Sequence, residues 1–483
     1  MAKLFVFGIG GTGSRVIRSL VMLMAAGVKI KNCDKIVPII IDPDTQNGDM
    51  NRTVELLKTY KHLHDQLGRR EEGFFHTNIS TLSSIAGDGS AKIRDSFVYD
   101  FGGINKPFKD HVGYNQLDID SQALVDLLFT PENLNNSLDV GFRGSPNVGS
   151  VVLNEIIDSP EMRFFASNFQ AGDRIFFVSS IFGGTGAAGF PLLLKNFKDV
   201  HTTLPNGSSL NDALTGAMVV LPYFSLEQPA PGAEADFIDS NTFTTKAKDA
   251  LSYYQNHLTG VNATYYIGDT PDKPLENNPG RASQKNDAHL IELLSALSII
   301  DFMDYSDNEL SGNSLYHEFG LREDVDHVQF SHLDQETRDR VAKQLIRFHY
   351  FTRYYNAHVP NDAQAAYAKG VDLSSAIRNE PVFKELNKFL NSQEFGYESW
   401  LKELSRMERT FSAFHLNESD FNRMVSDKQV ETGFLNKGIH QGSFVKELNR
   451  ASEAVSDREP FKATIKAFEI ATNNLVEEKL KYS

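Results

Sequence analysis

SSIFGGTGAAGFP, residues 179–191, decides how this chain is read. It follows the apolar run 174–178 and precedes the helical pattern 192–197. A glycine turn between a buried strand and a helix presents the helix's unpaired first-turn N–H groups, and the positive end of its dipole, to an anion. Gly183, Gly184, Thr185 and Gly186 make this turn, Ala187 and Ala188 keep it small, and Thr185 adds a hydroxyl for a phosphate or a metal.

A turn of the same kind opens the chain. Gly8-Ile-Gly-Gly-Thr-Gly13 follows the strand Lys3 to Phe7 and precedes the helix Ser14 to Ala26. As GxGxxG it also matches a dinucleotide site, with Gly8, Gly10 and Gly13 at the phosphates and Asp42, closing the strand Lys35 to Ile41, at the ribose. That reading predicts an NAD-dependent oxidoreductase, but it leaves the second glycine turn unexplained, and two phosphate-grade turns in one sheet point to a polyphosphate. Two more loops join them: the acidic Asp42-Pro-Asp-Thr-Gln46, and Gly144-Ser-Pro-Asn-Val-Gly149 ahead of an apolar-periodic helix.

Working outward, Arg174 to Ile181, Ala217 to Tyr223 and Ala263 to Ile267 complete the clear strands. They are apolar at nearly every position and alternate with helical patterns, which predicts a mainly parallel sheet covered on both faces, with ligands at its carboxyl edge. The fold class is therefore α/β, Rossmann-like, with residues 1–281 forming the nucleotide-binding domain. Residues 68–140, rich in Gly, Asp, Asn and Ser, read as an insertion with one short helix at Ala123 to Phe129. Residues 282–304 are apolar all round and predict a buried central helix. Residues 305–483 read as a mostly helical C-terminal domain, with helices at Gln335 to His358, Pro381 to Leu390, Tyr397 to Phe414 and Pro460 to Leu480.

Composition narrows the partners. Forty-eight Lys and Arg against 63 Asp and Glu give a net charge of −15, the opposite of a nucleic-acid footprint. An anion is then held locally, by backbone amides. There is no apolar run long enough to cross a membrane, no secretory pattern at the N-terminus, and the single Cys33 has no disulfide partner, so the expected compartment is the cytoplasm.

The order of the four loops resembles the tubulin/FtsZ superfamily. Phe182-Gly-Gly-Thr-Gly-Ala-Ala-Gly189 is similar to that family's GGGTG(S/T)G phosphate loop, and Gly8 to Gly13 to its first loop. Asp42 to Gln46 is similar to the bacterial NTDAQ loop and Gly144 to Gly149 to an NPEVG-type loop. The resemblance implies a guanine-nucleotide site for GTP or GDP with Mg2+. Gly10, Gly11, Thr12, Gly13, Gly144, Ser145, Asn147 and Gly183 to Ala187 would cradle phosphates, with Asp44 and Gln46 nearby and Asp44 and Thr185 close to the metal.

Leu221-Pro-Tyr-Phe-Ser-Leu-Glu227 is similar to the family's KPFxFEG, which implies that Glu227 meets ribose. Asn241 resembles the tubulin Asn that reads guanine, and Asn286-Asp287 the bacterial AAND pair at the base. As bare residues these equally suit a helix cap, a first helical turn and a solvated charge. The sequence departs from the family at three points. Phe182 and Ala188 stand where small residues and glycine are usual, and no NxDxxD occurs after the central helix; Asp307 and Glu309 fall nearest its place. The resemblance covers residues 1 to about 310 and implies a GTPase, assembly-dependent, that forms head-to-tail filaments with copies of itself. The helical C-terminal domain is then a surface for other protein partners. A scaffold that binds nucleotide without hydrolysing it is the variant that the missing carboxylates favour.

Overall fold

The computed structural model describes residues 2–86, 93–102, 104–142, 144–228, 240–270, 273–277, 280–320, 324–428, 430 and 438–481. Its centre is a six-stranded parallel sheet: β1 (Lys3–Ile9), β2 (Lys35–Ile41), β3 (Arg174–Ser180), β4 (Leu214–Val220), β5 (Ala263–Ile267) and β6 (Leu315–Phe319), in the spatial order β2-β1-β3-β4-β5-β6. Side chains alternate between faces, so Leu4 and Val6 of β1 enter one core while Phe5, Phe7 and Ile9 enter the other. Both faces are covered. This is why the strands read as unbroken apolar runs, and β3 is buried at every position.

Helices of eight or more residues cover the sheet. In chain order they are α1 (Gly10–Ala25), α2 (Gly48–Leu67), α3 (Ile119–Leu128), α4 (Pro146–Asn154), α5 (Pro160–Asn168), α6 (Gly184–Phe197), α7 (Phe243–His257) and α8 (Leu290–Asp304). Then follow α9 (Gln335–Ala357), α10 (Pro381–Asn391), α11 (Tyr397–Leu404), α12 (Gln441–Ala454) and α13 (Pro460–Leu475). One core lies beneath α4, α5, α6 and α7. The other holds α1, α2 and α8 and continues without a break into the C-terminal helices.

The α/β class and the mainly parallel sheet stand as the sequence predicts. Residue for residue there are differences. Tyr397 to Phe414 is not one helix: α11 ends at Leu404, and a short strand at Thr410–Phe411 pairs with His327–Val328. β6 comes from beyond α8, inside the segment read as helical, and its short, half-exposed pattern hid it. α8 is thus the crossover between two parallel neighbours, β5 and β6, as well as a buried helix. In the 68–140 region the described helix of eight or more residues is α3, a few residues earlier than expected, with Ile119, Leu127 and Leu128 largely exposed, and shorter helices stand at Phe108–His111 and Pro131–Asn135.

Candidate functional site

Strand order places the site. β1 has β2 on one side and β3 on the other, so the chain leaves β1 and β3 in opposite directions, and a crevice opens at their carboxyl ends. The two glycine turns follow those two strands. They touch: a methyl group on Gly10 would sit 3.4 Å from Cβ of Thr185. On its far side, a methyl on Gly184 would lie 3.0 Å from the Gly144 nitrogen and 3.2 Å from the Ser145 nitrogen. The turns after β1, before α4 and after β3 therefore meet at one cleft, lined by Gly10, Gly11, Thr12, Gly144 and Gly183 to Gly186.

Three helices begin there: α1 after Ile9, α4 after Ser145 and α6 after Gly183. None has a side-chain cap. Asn47 caps α2, Ser159 caps α5 and His289 caps α8, whereas α10 and α11 also begin without a side-chain cap, so it is the gathering of uncapped starts at one cleft that sets these three apart. Uncapped first turns keep their N–H donors for something else, and helix starts gathered around one cleft favour negative charge there. Lys246 of α7 donates to the Gly144 carbonyl at 3.0 Å and brings a cation to the third turn.

The cleft's floor is charged and buried. Arg15, 3% exposed, donates from Nε to Glu292, from Nη1 to Asp49 at 2.6 Å and from Nη2 to the Tyr223 hydroxyl at 2.7 Å. Burial opposes its charge, but Tyr223, Glu292 and Asp49 more than offset that, and the guanidinium stays protonated. Asp42 ends β2 in the same cleft, and burial pushes its carboxyl up to about 7. Asp44 is shifted upward, also by burial, while it accepts from the Gln46 and Arg281 N–H groups at 3.0 and 2.5 Å.

Phe182 has a plain role. It packs its ring against Tyr223, Phe224 and Phe243 and closes one wall, with Phe224 half-buried along the cleft. Ala188 is buried against the α4 turn, where a methyl on Gly149 would come within 2.9 Å of its Cβ.

The structure brings most of the anticipated residues together and sets others apart. Asn286 lines the cleft, but its amide donates to Asp49 at 3.0 Å and its carbonyl accepts from Arg52. Asp287 lies outside the lining and faces Arg406 at 3.6 Å. Glu227 and Asn241 are exposed beyond the cleft's lining, as is Gln46; Ser145, Asn147 and Ala187 belong to the converging turns without lining it. Asp307 and Glu309 lie at the other end of the sheet. Asp307 pairs with Arg174, the first residue of β3, at 2.6 Å, and Glu309 caps its own turn through Ser306. Sequence reading missed Arg15, Asn47, Gln284, Lys246 and Asp42's elevated proton affinity. Arg15 and Arg18 within an otherwise apolar helix were the one available signal.

No family model matches the chain, and no curated protein matches it. Among solved structures, the GTPγS-bound protofilament of CetZ2 from Haloferax volcanii is similar over 63% of this chain, at 14% identity and a TM-score of 0.30. The chain spans 58% of that protein's length. So distant a likeness leaves function to be read from the site itself.

Proposed function

We propose that the cleft binds a guanine nucleoside triphosphate and that the protein is a tubulin/FtsZ-type GTPase which assembles head to tail. The observation that carries the reading is the meeting of three uncapped helix starts at the β1/β3 crevice. Amides of Gly10, Gly11, Thr12, Gly144 and Gly184 to Gly186 hold the phosphates, Gly13 lets α1 pack closely on β1 and β3 without lining the cleft, and Phe224 lines it on the nucleoside's side. A second glycine cradle is superfluous for a dinucleotide, which is why NAD is the weaker fit.

Magnesium suits this donor set. The ion keeps most of its waters and takes one or two protein oxygens beside the phosphates, and Asp44 with the Thr185 hydroxyl meets that need. Bound there, it would spread the charge that develops on the transferred phosphoryl group. The chain's own part is positional: amide dipoles fixed by two buried strands stabilise the polyphosphate without reorganising.

Asp307 and Glu309 lie about 20 Å from the cleft, the length of a seven-residue strand. They serve hydrolysis only across an interface with a second copy. An isolated chain therefore holds nucleotide and turns it over slowly. Calorimetry with GTP, ATP and NAD tests the site, and a preference for NAD rejects it. Light scattering with and without GTP and Mg2+ tests assembly, and nucleotide-independent scattering leaves a binding scaffold as the better description.

A further inference from the structure

α3 is built inside out. Its outer face carries Ile119, Ala123, Leu124, Leu127 and Leu128, with Ile119 84% and Leu127 81% exposed and the other two leucines 56%. The side toward the protein holds Ser121, Gln122 and Val125, all half-buried, and no residue of the helix is fully buried. A surface helix ordinarily turns its apolar stripe to the core, because that burial supplies most of its stability.

Polar bonds hold the reversal in place. Asp118 caps the helix by accepting from the Ser121 N–H at 2.8 Å, and Gln122 donates from Nε2 to the carbonyls of Tyr114 and Leu117 at 3.1 and 3.2 Å. The Tyr114 hydroxyl donates to Asp126 at 2.8 Å. Past the end of the helix Phe129 is buried edge-on against Phe108, and the short helix Pro131–Asn135 follows, whose Asn133 accepts from the Ser145 hydroxyl at 3.1 Å. These contacts fix which side faces out. Large apolar side chains held in water on an anchored helix mark a surface that another molecule covers.

Charge selects the occupant. Asp120 heads the outer stripe, with Ala123, Leu124 and Leu127 at its i+3, i+4 and i+7 positions, so whatever covers the leucines covers this carboxylate too. A carboxylate taken from water without a cation opposes binding. Around it, between Lys109 and Arg143, the chain holds six Asp and Glu and no Lys or Arg. An anionic lipid surface repels such a segment. Two copies packed α3 to α3 would set like charges against each other in a protein of net charge −15. We infer that α3 is a docking surface for a basic amphipathic helix of a partner protein, whose apolar stripe packs on Leu124 and Leu127 while its Lys or Arg meets Asp120. This surface is independent of what the cleft holds.

The test is fluorescence anisotropy of a labelled amphipathic helical peptide of leucine and lysine, titrated with the full chain beside its leucine–glutamate counterpart. The lysine peptide is expected to bind, and the glutamate peptide to bind about tenfold or more weaker. Leu124→Gln with Leu127→Gln keeps good helix formers and leaves the urea midpoint where it was, yet weakens the lysine peptide about tenfold or more. Asp120→Asn weakens the lysine peptide and narrows the gap between the two. Lysine-peptide binding that survives the double change reflects overall charge alone and overturns the assignment, as do equal binding of both peptides and binding of neither. A large drop in the double variant's urea midpoint would make these leucines part of the core, against the proposal. Cosedimentation of the parent chain with phosphatidylserine vesicles, lost in the double variant, would make a lipid surface the occupant instead. Dimerisation of the parent in sedimentation equilibrium, lost in the double variant, would make it a second copy.

Discussion

Gly11 and Gly186 occupy matching turns, yet an added methyl group meets different surroundings at each. At Gly11 the nearest atoms are side-chain nitrogens of Arg15, Gln284 and Asn47 at 3.5 to 3.9 Å, an ordinary contact distance. Alanine is also the better helix former by about 1 kcal/mol. Gly11→Ala should therefore be as stable as the parent in urea, or more so, and should weaken GTP binding about tenfold or more by narrowing the cleft. At Gly186 the methyl would come 2.5 Å from the Ser180 carbonyl oxygen, so α6 must shift off β3, at a cost of about 1–3 kcal/mol. Undiminished GTP affinity in a well-folded Gly11→Ala protein would remove the first turn from the site. Asp42 adds a pH dependence. Its folded-state value of about 7 lies above the ordinary carboxylate value of 3.8 because burial disfavours the anion. Between about pH 4 and pH 7 the unfolded chain has released this proton and the folded chain keeps it, so stability falls as pH rises through that window. The full term is on the order of 4 kcal/mol. Asp42→Asn should flatten this slope in denaturation series at pH 4 to 8, becoming relatively more favourable toward pH 8; an identical slope would deny Asp42 that part.

Four elements meet at a second buried cluster. Glu403 of α11 accepts from Arg18 of α1 at 2.5 and 3.0 Å, from Arg52 of α2 at 3.4 Å, and from the Ala288 N–H ahead of α8 at 2.8 Å. Burial pulls the Arg18 guanidinium down against the raising effect of Glu403. Glu403→Ala leaves the buried Arg18 without its carboxylate, beside an Arg52 that keeps Asp49 at 2.8 Å, so unfolding free energy should drop by about 3–5 kcal/mol. A loss below about 1 kcal/mol in urea would mean that these helices are joined by apolar packing alone. This cluster also marks the limit of what sequence conveys. The glycine turns and five of the six strands are local patterns, and they were legible. Arg18 and Glu403 are 385 residues apart, and Asn47 and Gln284 are 237 apart; no periodicity links them. β6 was hidden for a related reason. It is a half-exposed edge strand and lacks the apolar run that betrayed the other five, whereas β2 at the opposite edge is covered by bridges from Ile79 and Val98 and stays apolar.

At the scale of the whole molecule, α8 runs from the cleft's end of the sheet to the opposite end. Its fifteen residues span about 22 Å. Glu292, in its first turn, holds Arg15 under the cleft, and at the far end Asp307 is bound to Arg174. A carboxylate placed there cannot reach its own chain's cleft, yet in the proposed head-to-tail stack a second copy would receive it at the open cleft. Asp307 is 70% exposed on its side chain, so its pairing with Arg174 adds little to stability and leaves it open to such a contact. Asp307→Asn should thus bind GTP with parental affinity as an isolated chain, while GTP-dependent light scattering or phosphate release at high protein concentration falls. Weakened binding in the isolated chain would contradict the separation of the two ends. Unchanged scattering and turnover would show that Asp307 serves no neighbouring cleft, and the molecule would then be better described as a nucleotide-holding scaffold.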